Sequence, residues 1–207
     1  MTSPAKEVDM QRLHAAQFAR ARALLGRAFY DYNLMVHAQP KDHRRLGAVE
    51  TLYGAMLWDC LCRGETHVTP DFTGVSAWLA PGTGLPSFLQ QVRCGMLRLP
   101  LGFGARGFRR LLAYDEVGRR LHHQYAAEPH WYLAVIAVDV GQQGRGIGSD
   151  LMRPMLARAD AEGKACWLDT HQEQNVRLYK RHGFEIAECA EVRGHPIPVY
   201  GMLRRPR

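Results

Sequence analysis

An α+β fold with α/β-type layers is predicted by three features of the chain. The second half alternates patterns in the order strand, loop, helix, strand, helix, strand, strand, which requires some parallel pairing across a helical crossover. The first half carries two long stretches of helical periodicity followed by a strand pair. Apolar residues make up 46 % of the 207 residues and charged residues 23 %, so one sizeable core and a single domain over 1–207 are expected.

The elements follow in order. Residues 1–10 are polar, with a short edge strand expected near Glu7–Met10. From Gln11 to Tyr32, the apolar residues Leu13, Phe18, Ala21, Leu24, Leu25, Ala28 and Phe29 recur at helical spacing. The segment "DYNLMVHAQP" leaves that helix and Pro40 closes it. His43 to Arg63 reads as a second helix through Leu46, Val49, Leu52, Tyr53, Met56, Leu57 and Cys60, with Gly64 expected at its C′ position. "ETHVTP" and "FTGVSAWLAP" read as two strands joined by a hairpin-like turn. Residues 81–129 are mostly helical but interrupted by Pro100 and glycines. Two or three helices are expected there, as a helical insertion between strands, a place where substrate selectivity often resides.

From His130 the pattern is regular. "HWYLAVIAV" is a nearly continuous apolar strand, expected to be buried on both faces. A glycine loop follows, then a helix over 147–162 with Ile147, Leu151, Met155 and Ala159 on one stripe. Pro154 breaks a local rule, since an interior proline costs about 3 kcal/mol or more; the stripe continues past it, so a kink rather than a stop is expected. "ACWLDT", "FEIAECAEVR" and "PIPVYGMLR" are strands, and "NVRLYKRH" is a short helix ended by Gly183.

Charge and composition narrow the function classes. The net charge is +7, which favours anionic partners. The basic residues are scattered, with small clusters at Lys41–Arg45, Arg106–Arg110 and Arg204–Arg207, so a phosphate-bearing ligand is favoured over nucleic acid. The cysteines Cys60, Cys62, Cys94, Cys166 and Cys189 fit no zinc spacing, so no metal is expected, and they read as buried free thiols of a reducing compartment. No apolar run is long enough to span a membrane, and "MTSPAKEVDMQRLHAAQ" has no signal-peptide core. A cytoplasmic location without membrane association is the expectation.

The chemistry concentrates in "VDVGQQGRGIGSDLM", residues 138–152. A dinucleotide fingerprint fails, because Ser149 or Leu151 stands where its last glycine or alanine is required. A P-loop fails, because Ile147 stands where lysine is required. Gln-x-x-Gly-x-Gly from Gln143 to Gly148 remains. Free N–H groups of a helix start, glycines that admit an anion, the Arg145 charge and the Ser149 hydroxyl together suit a pyrophosphate.

The strand "LAVIAV", the loop "QQGRGIG", the helix "SDLMRPMLARADAEG", the strand "CWLDT" and the segment "NVRLYKRHGF" resemble, in order and spacing, the central motifs of the GNAT superfamily of N-acetyltransferases. The resemblance is strong over about residues 130–185. Pro154, and Asn175 four residues before Tyr179, are similar to the puromycin N-acetyltransferase-like subgroup. The resemblance implies the acyl-CoA N-acyltransferase fold, a central mixed twisted sheet flanked by helices, and acetyl-CoA as co-substrate. It implies direct attack by a primary amine of a small molecule in a ternary complex.

Carried onto this chain, Gln143, Gly144, Arg145, Gly146, Ile147, Gly148 and Ser149 would hold the pyrophosphate. The strand backbone at Ile136 and Val138 would pair with the pantetheine arm, and the Val138 N–H would face the thioester carbonyl. Tyr179 would protonate the leaving thiolate, and Asn175 would bond pantetheine or fix the start of its helix. Many family members carry a glutamate where Tyr132 stands here. The general base is therefore Glu128, His130 or a group reached through water, and Asp169 either supports the acceptor or bonds backbone. Acetylation of a protein lysine or N-terminus, and a non-catalytic CoA-binding sensor, are the alternative functions. Monomer and homodimer are both compatible with the sequence.

Overall fold

In the computed structural model, described over residues 10–207, the chain forms one seven-stranded mixed sheet with helices on both faces. The strands are β1 (Gln11–Arg12), β2 (Gly64–Val68), β3 (Gly74–Leu79), β4 (Trp131–Val138), β5 (Cys166–Thr170), β6 (Glu185–Ala190) and β7 (Val199–Arg204), in the order β1-β2-β3-β4-β5-β7-β6. Only β4 and β5 are parallel, and the crossover between them is the helix that follows the glycine loop. The helices are α1 (Phe18–Ala28), α2 (Asn33–Ala38), α3 (Asp42–Arg63), α4 (Phe88–Arg93), α5 (Leu99–Tyr125), α6 (Ile147–Ala161) and α7 (Glu173–Arg181).

Each face of the sheet has its own core. Leu24 and Leu25 of α1, Val49 and Leu57 of α3 and Leu121 of α5 pack with Val75, Ala77, Val135 and Trp167. Met152, Met155 and Leu156 of α6 and Val176 and Tyr179 of α7 pack with Trp78, Trp131, Leu133 and Leu168. β4 contributes to both cores by alternation, and its register against β3 slips: Trp78 opposes Leu133 and Ala77 opposes Val135, leaving Ala134 as an extra residue, so that Trp131 and Leu133 join one core and Val135 and Ala137 the other. The bulge changes which face the buried residues point to, and β4 alternates buried with half-buried positions rather than burying every one.

Several local expectations need correcting. The helix expected from Gln11 begins at Phe18, preceded by the strand residues Gln11 and Arg12 and a 3-10 turn over Ala15–Gln17. The edge strand expected near Glu7–Met10 falls almost wholly outside the described residues. "NLMVHA" is not an exit segment but α2, whose Leu34, Met35 and Ala38 are buried. Gly64 does not cap α3 in a left-handed conformation. Its φ is −156°, it begins β2 directly, and a methyl there would fall 1.9 Å from the Trp78 carbonyl oxygen. Steric approach of two strands, not cap geometry, requires this glycine.

The stretch 81–129 is helical as expected. It is built as α4, a 3-10 turn over Met96–Arg98 and the 27-residue α5, which bends at Gly104. α6 runs through Pro154 to Ala161. Of the cysteines, only Cys60 and Cys166 are buried; Cys62 and Cys189 are exposed.

Candidate active site

The site is laid out by a separation of strands. β4 and β5 pair only at Trp131 with Cys166 and Tyr132 with Trp167. Beyond those two rungs the strands part, and among the described residues the remainder of β4 has no strand partner on that edge. The Asp139 N–H bonds the Thr73 carbonyl on the β3 side, 2.8 Å away. Strand alternation then turns the N–H groups of Ile136 and Val138 toward the open edge. The sequence expectation named these same two residues.

The open edge leads into the glycine loop. Gly144 and Gly146 adopt φ of +79° and +87°, in the left-handed region that side chains other than glycine disfavour. Among the described residues, the N–H groups from Gln143 to Gly148 donate to no protein acceptor. The loop is exposed, Arg145 has no side-chain partner among the described residues, and the space over Gly144 and Gly146 is empty of protein within 4 Å of where a methyl would stand. The Gln143 side chain donates to the Val138 carbonyl at 3.2 Å and ties the loop to the strand end. Ser149 differs from its neighbours: its N–H turns back to the Gly146 carbonyl at 2.9 Å, and its hydroxyl bonds His182 Nε2 at 2.9 Å. A run of undirected N–H groups at a helix start, beside a free guanidinium, fits an anion such as a pyrophosphate.

Tyr179 lies on α7 with 6 % of its surface exposed, and its hydroxyl has no hydrogen-bond partner among the described residues. Burial pushes this hydroxyl well above the usual tyrosine range, with Tyr32 and Asp169 adding to the effect. It is therefore a neutral proton donor at pH 7. Asn175 is not the N-cap of α7, because Gln172 holds that position; its side chain reaches Thr170 Oγ1 at 3.4 Å.

Around the end of β5 the structure gathers polar side chains from distant parts of the chain. Tyr132 donates to Asp169 Oδ1 at 2.8 Å. The Tyr32 hydroxyl accepts from the His171 N–H at 2.9 Å and lies 3.3 Å from Thr170 Oγ1; burial pushes it up to about 12. The Tyr114 ring on α5 packs 5.6 Å from the His171 ring and 5.5 Å from that of His195. His195 Nδ1 lies 3.1 Å from His37 Nε2. Burial lowers the His171 imidazole, against the pull of Asp169, and leaves it neutral near pH 7. Of these residues only Asp169 is a candidate from the sequence; Tyr32, His37, Tyr114, His171 and His195 are added by the structure. Alternation along β5 is the signal that links Asp169 to His171; nothing local announces the others.

Glu128 and His130 lie at the opposite end of β4. The His130 ring contacts the Glu128 carbonyl through Nδ1 at 2.7 Å and His122 Nε2 through its own Nε2 at 2.8 Å. Both histidines border a cleft of about 260 Å³ with Glu128, Pro129, Leu79 and Gly84 along its walls. Among the described residues no hydrogen bond joins Glu128 or His130 to Tyr179.

Residues 104–184 match the Acetyltransferase (GNAT) family. An uncharacterized N-acetyltransferase of Schizosaccharomyces pombe is 24 % identical over 206 residues, spanning 95 % of this chain and 83 % of its own length. A structure from Corynebacterium glutamicum, described as histone acetyltransferase HPA2 and related acetyltransferase, superposes with a TM-score of 0.69 at 21 % identity over 96 % of both chains. The putative arylalkylamine N-acetyltransferase 7 of the yellow fever mosquito gives 0.64 at 17 % identity, over 95 % of this chain and 86 % of that one. At such identities the likeness to solved structures is one of fold.

Proposed function

We propose that this chain, a member of the GNAT superfamily of acetyltransferases, transfers an acetyl group from acetyl-CoA to the primary amine of a small molecule, by direct attack in a ternary complex. One observation carries the reading: β4 and β5 part after Tyr132 and Trp167, and the free edge of β4 runs straight into a loop of undirected N–H groups. A strand edge beside an anion cradle suits a long ligand with an amide-bearing arm and a pyrophosphate. Acetyl-CoA supplies the activated acetyl thioester.

The chain's own residues divide the remaining work. Gln143 to Gly148 and Arg145 hold the pyrophosphate, and the Ile136 and Val138 backbone aligns the arm. Tyr179, neutral and unpartnered, gives a proton to the departing sulfur. The ring of Tyr32, Tyr114, His171 and His195 shapes the acceptor side. Tyr114 and His195 close over His171, which favours a compact amine over an extended peptide. The place of this chain in the puromycin N-acetyltransferase-like subgroup rests on Pro154, Asn175 and Tyr179 alone.

The test is thiol release from acetyl-CoA by the purified protein against a panel of small primary amines and, separately, a peptide library. Turnover with at least one small amine is expected. Turnover confined to peptides overturns the choice of acceptor. CoA binding without any turnover points to a sensor, and no CoA binding by calorimetry overturns the whole reading.

A further inference from the structure

Residues 72–114 contain no aspartate or glutamate, yet Arg93, Arg98, Arg106, Arg109 and Arg110 all fall among them. This stretch builds α4, the 3-10 turn over Met96–Arg98 and the first part of α5. Arg93, Arg98, Arg106 and Arg109 are exposed, and their guanidinium groups form no hydrogen bond or ion pair among the described residues. Arg110 alone is engaged, through the His37 carbonyl.

Between these arginines stand Phe88 and Leu89 of α4, Leu97 of the 3-10 turn and Leu101 of α5, exposed by 72, 68, 62 and 81 %. A single exposed leucine is ordinary on a protein surface, but four large apolar side chains so close in sequence are not. The backbone stays helical from the turn into α5, so Leu97 and Leu101 lie one turn apart on one side. Leu99 and Phe103, offset from Leu101 by two positions, are buried. The start of α5 therefore has an inner apolar face and an outer face that is apolar and basic as well. On α4, Leu89 and Arg93 are likewise one turn apart. Both α4 and the start of α5 pack against the 3-10 turn, which joins the three pieces into one surface.

We propose that the surface from Phe88 to Arg109 docks the protein on a membrane leaflet containing anionic phospholipid. Arginine forks pair with lipid phosphates, and projecting phenylalanine and leucine side chains enter the boundary of the acyl chains. The lack of a spanning run, which led to the expectation of no membrane association, does not bear on this. Among the described residues no helix is long and apolar enough to cross a membrane, and a docked surface needs none.

The charges and the exposures choose this occupant over two others. A second copy of the chain would meet the surface through a two-fold axis, setting unpaired arginines against the same arginines with no carboxylate between them. An acidic protein would satisfy the arginines. Side chains exposed this far, however, project from the surface rather than line a groove, and a soft apolar phase closes around each of them. The proposal does not depend on the acetyl-transfer reading, because it concerns a surface and not the reacting groups.

The test is co-sedimentation of the purified full chain, without acetyl-CoA or amine, with vesicles of phosphatidylcholine alone and of phosphatidylcholine mixed with phosphatidylserine. Binding is expected to the mixed vesicles only, and to be lost at about 1 M salt, where the screening length falls to about 3 Å. Arg93→Gln with Arg98→Gln should weaken partitioning roughly 25-fold, at about fivefold per charge. Leu97→Ser with Leu101→Ser should weaken it tenfold or more, on the order of two side chains withdrawn from the acyl boundary. All four side chains are exposed, so melting temperature and CoA affinity should match wild type. A Leu101→Trp protein should gain blue-shifted emission relative to wild type when mixed vesicles are added. Equal binding to both vesicle types overturns the anionic recognition, and bound protein without the shift overturns insertion. No binding to either rejects the proposal. A dimer in analytical ultracentrifugation that the leucine pair dissolves would then give the surface to a second copy, and a monomer would leave it to an acidic protein. Amine turnover by a protein that ignores vesicles keeps the transferase reading while rejecting this one.

Discussion

Replacing Gly146 by alanine separates the two uses a glycine loop can have, turning the chain and admitting an anion. Gly146 has φ of +87° at the start of α6, and no described residue lies within 4 Å of where the new methyl would stand. The structural cost is thus backbone strain alone, about 1–2 kcal/mol for a left-handed residue with a side chain. For a chain of this size that lowers the melting temperature by roughly 2–8 °C. It removes only part of a stability of about 5–15 kcal/mol, so the variant remains folded. Gly148 is the control in the same loop: its φ is not in the left-handed region, and a methyl there meets only Leu178 and Val138 side chains at 3.8 Å. Alanine there should stabilise α6 by up to about 1 kcal/mol. If the N–H groups hold pyrophosphate, the Gly146 methyl intrudes on the space over them and displaces at least one charge-assisted hydrogen bond, about 1.5–3 kcal/mol. That corresponds to roughly a ten- to hundredfold weaker Kd for CoA. Thermal melts and CoA calorimetry on both variants check this. A Gly146→Ala protein that melts lower but binds CoA as wild type does would refute the cradle and leave the glycine as a turn residue.

Three further outcomes follow from the same geometry. Tyr179→Phe should lower kcat on the order of a hundredfold, with CoA affinity and melting temperature nearly unchanged, because the hydroxyl holds no partner among the described residues; equal losses in kcat and CoA affinity would make the residue structural. Asp160→Asn should destabilise by about 3 kcal/mol, because Arg204, 3 % exposed, loses a carboxylate that it grips at 2.8 and 2.7 Å. The same pair sets an acid limit: Arg204 holds the Asp160 carboxyl down at about 2, so its contribution is present above about pH 4 and is lost as pH falls toward 2, and acid melts of the variant should be flatter over that window. Gly201→Ala should destabilise by about 1–3 kcal/mol in chemical denaturation, since its methyl would stand 2.7 Å from the fully buried Trp167 ring; an unchanged midpoint would mean that the ring moves freely.

Much of this was legible in the sequence, and what was legible shares a cause. α3, the β2–β3 hairpin and the succession β4, loop, α6, β5, α7 are each long or strongly punctuated, so periodicity and glycines mark them. α2 escaped because six residues hold fewer than two helical turns and its burial depends on α3 and α5. The bulge at Ala134 escaped because an extra residue in an apolar run leaves the pattern intact; only its partner strand reveals it. Gly64 stands out in the sequence as a helix terminator, whereas what requires it is the close approach of Trp78, a tertiary fact. The cluster at the end of β5 is the least legible part of the structure. Tyr32, Tyr114, His171 and His195 come from four separate segments, and no local spacing joins them.

The position of Tyr132 shows how these levels meet. The family resemblance puts a carboxylate base at that point of β4, and this chain has none there. Its hydroxyl instead donates to Asp169, so the carboxylate is supplied from β5, one strand over, at the place where β4 and β5 have just begun to part. α5 closes the same region from below, and Gly118 is the residue that lets the helix come near the carboxylate without a side chain between them. The next turn of α5 brings the His122 ring to 5.5 Å from that of Tyr132. With no carboxylate at Tyr132 itself, the chain brings one to that point of β4 through a hydrogen bond to β5, and Gly118 lets α5 cover the pair.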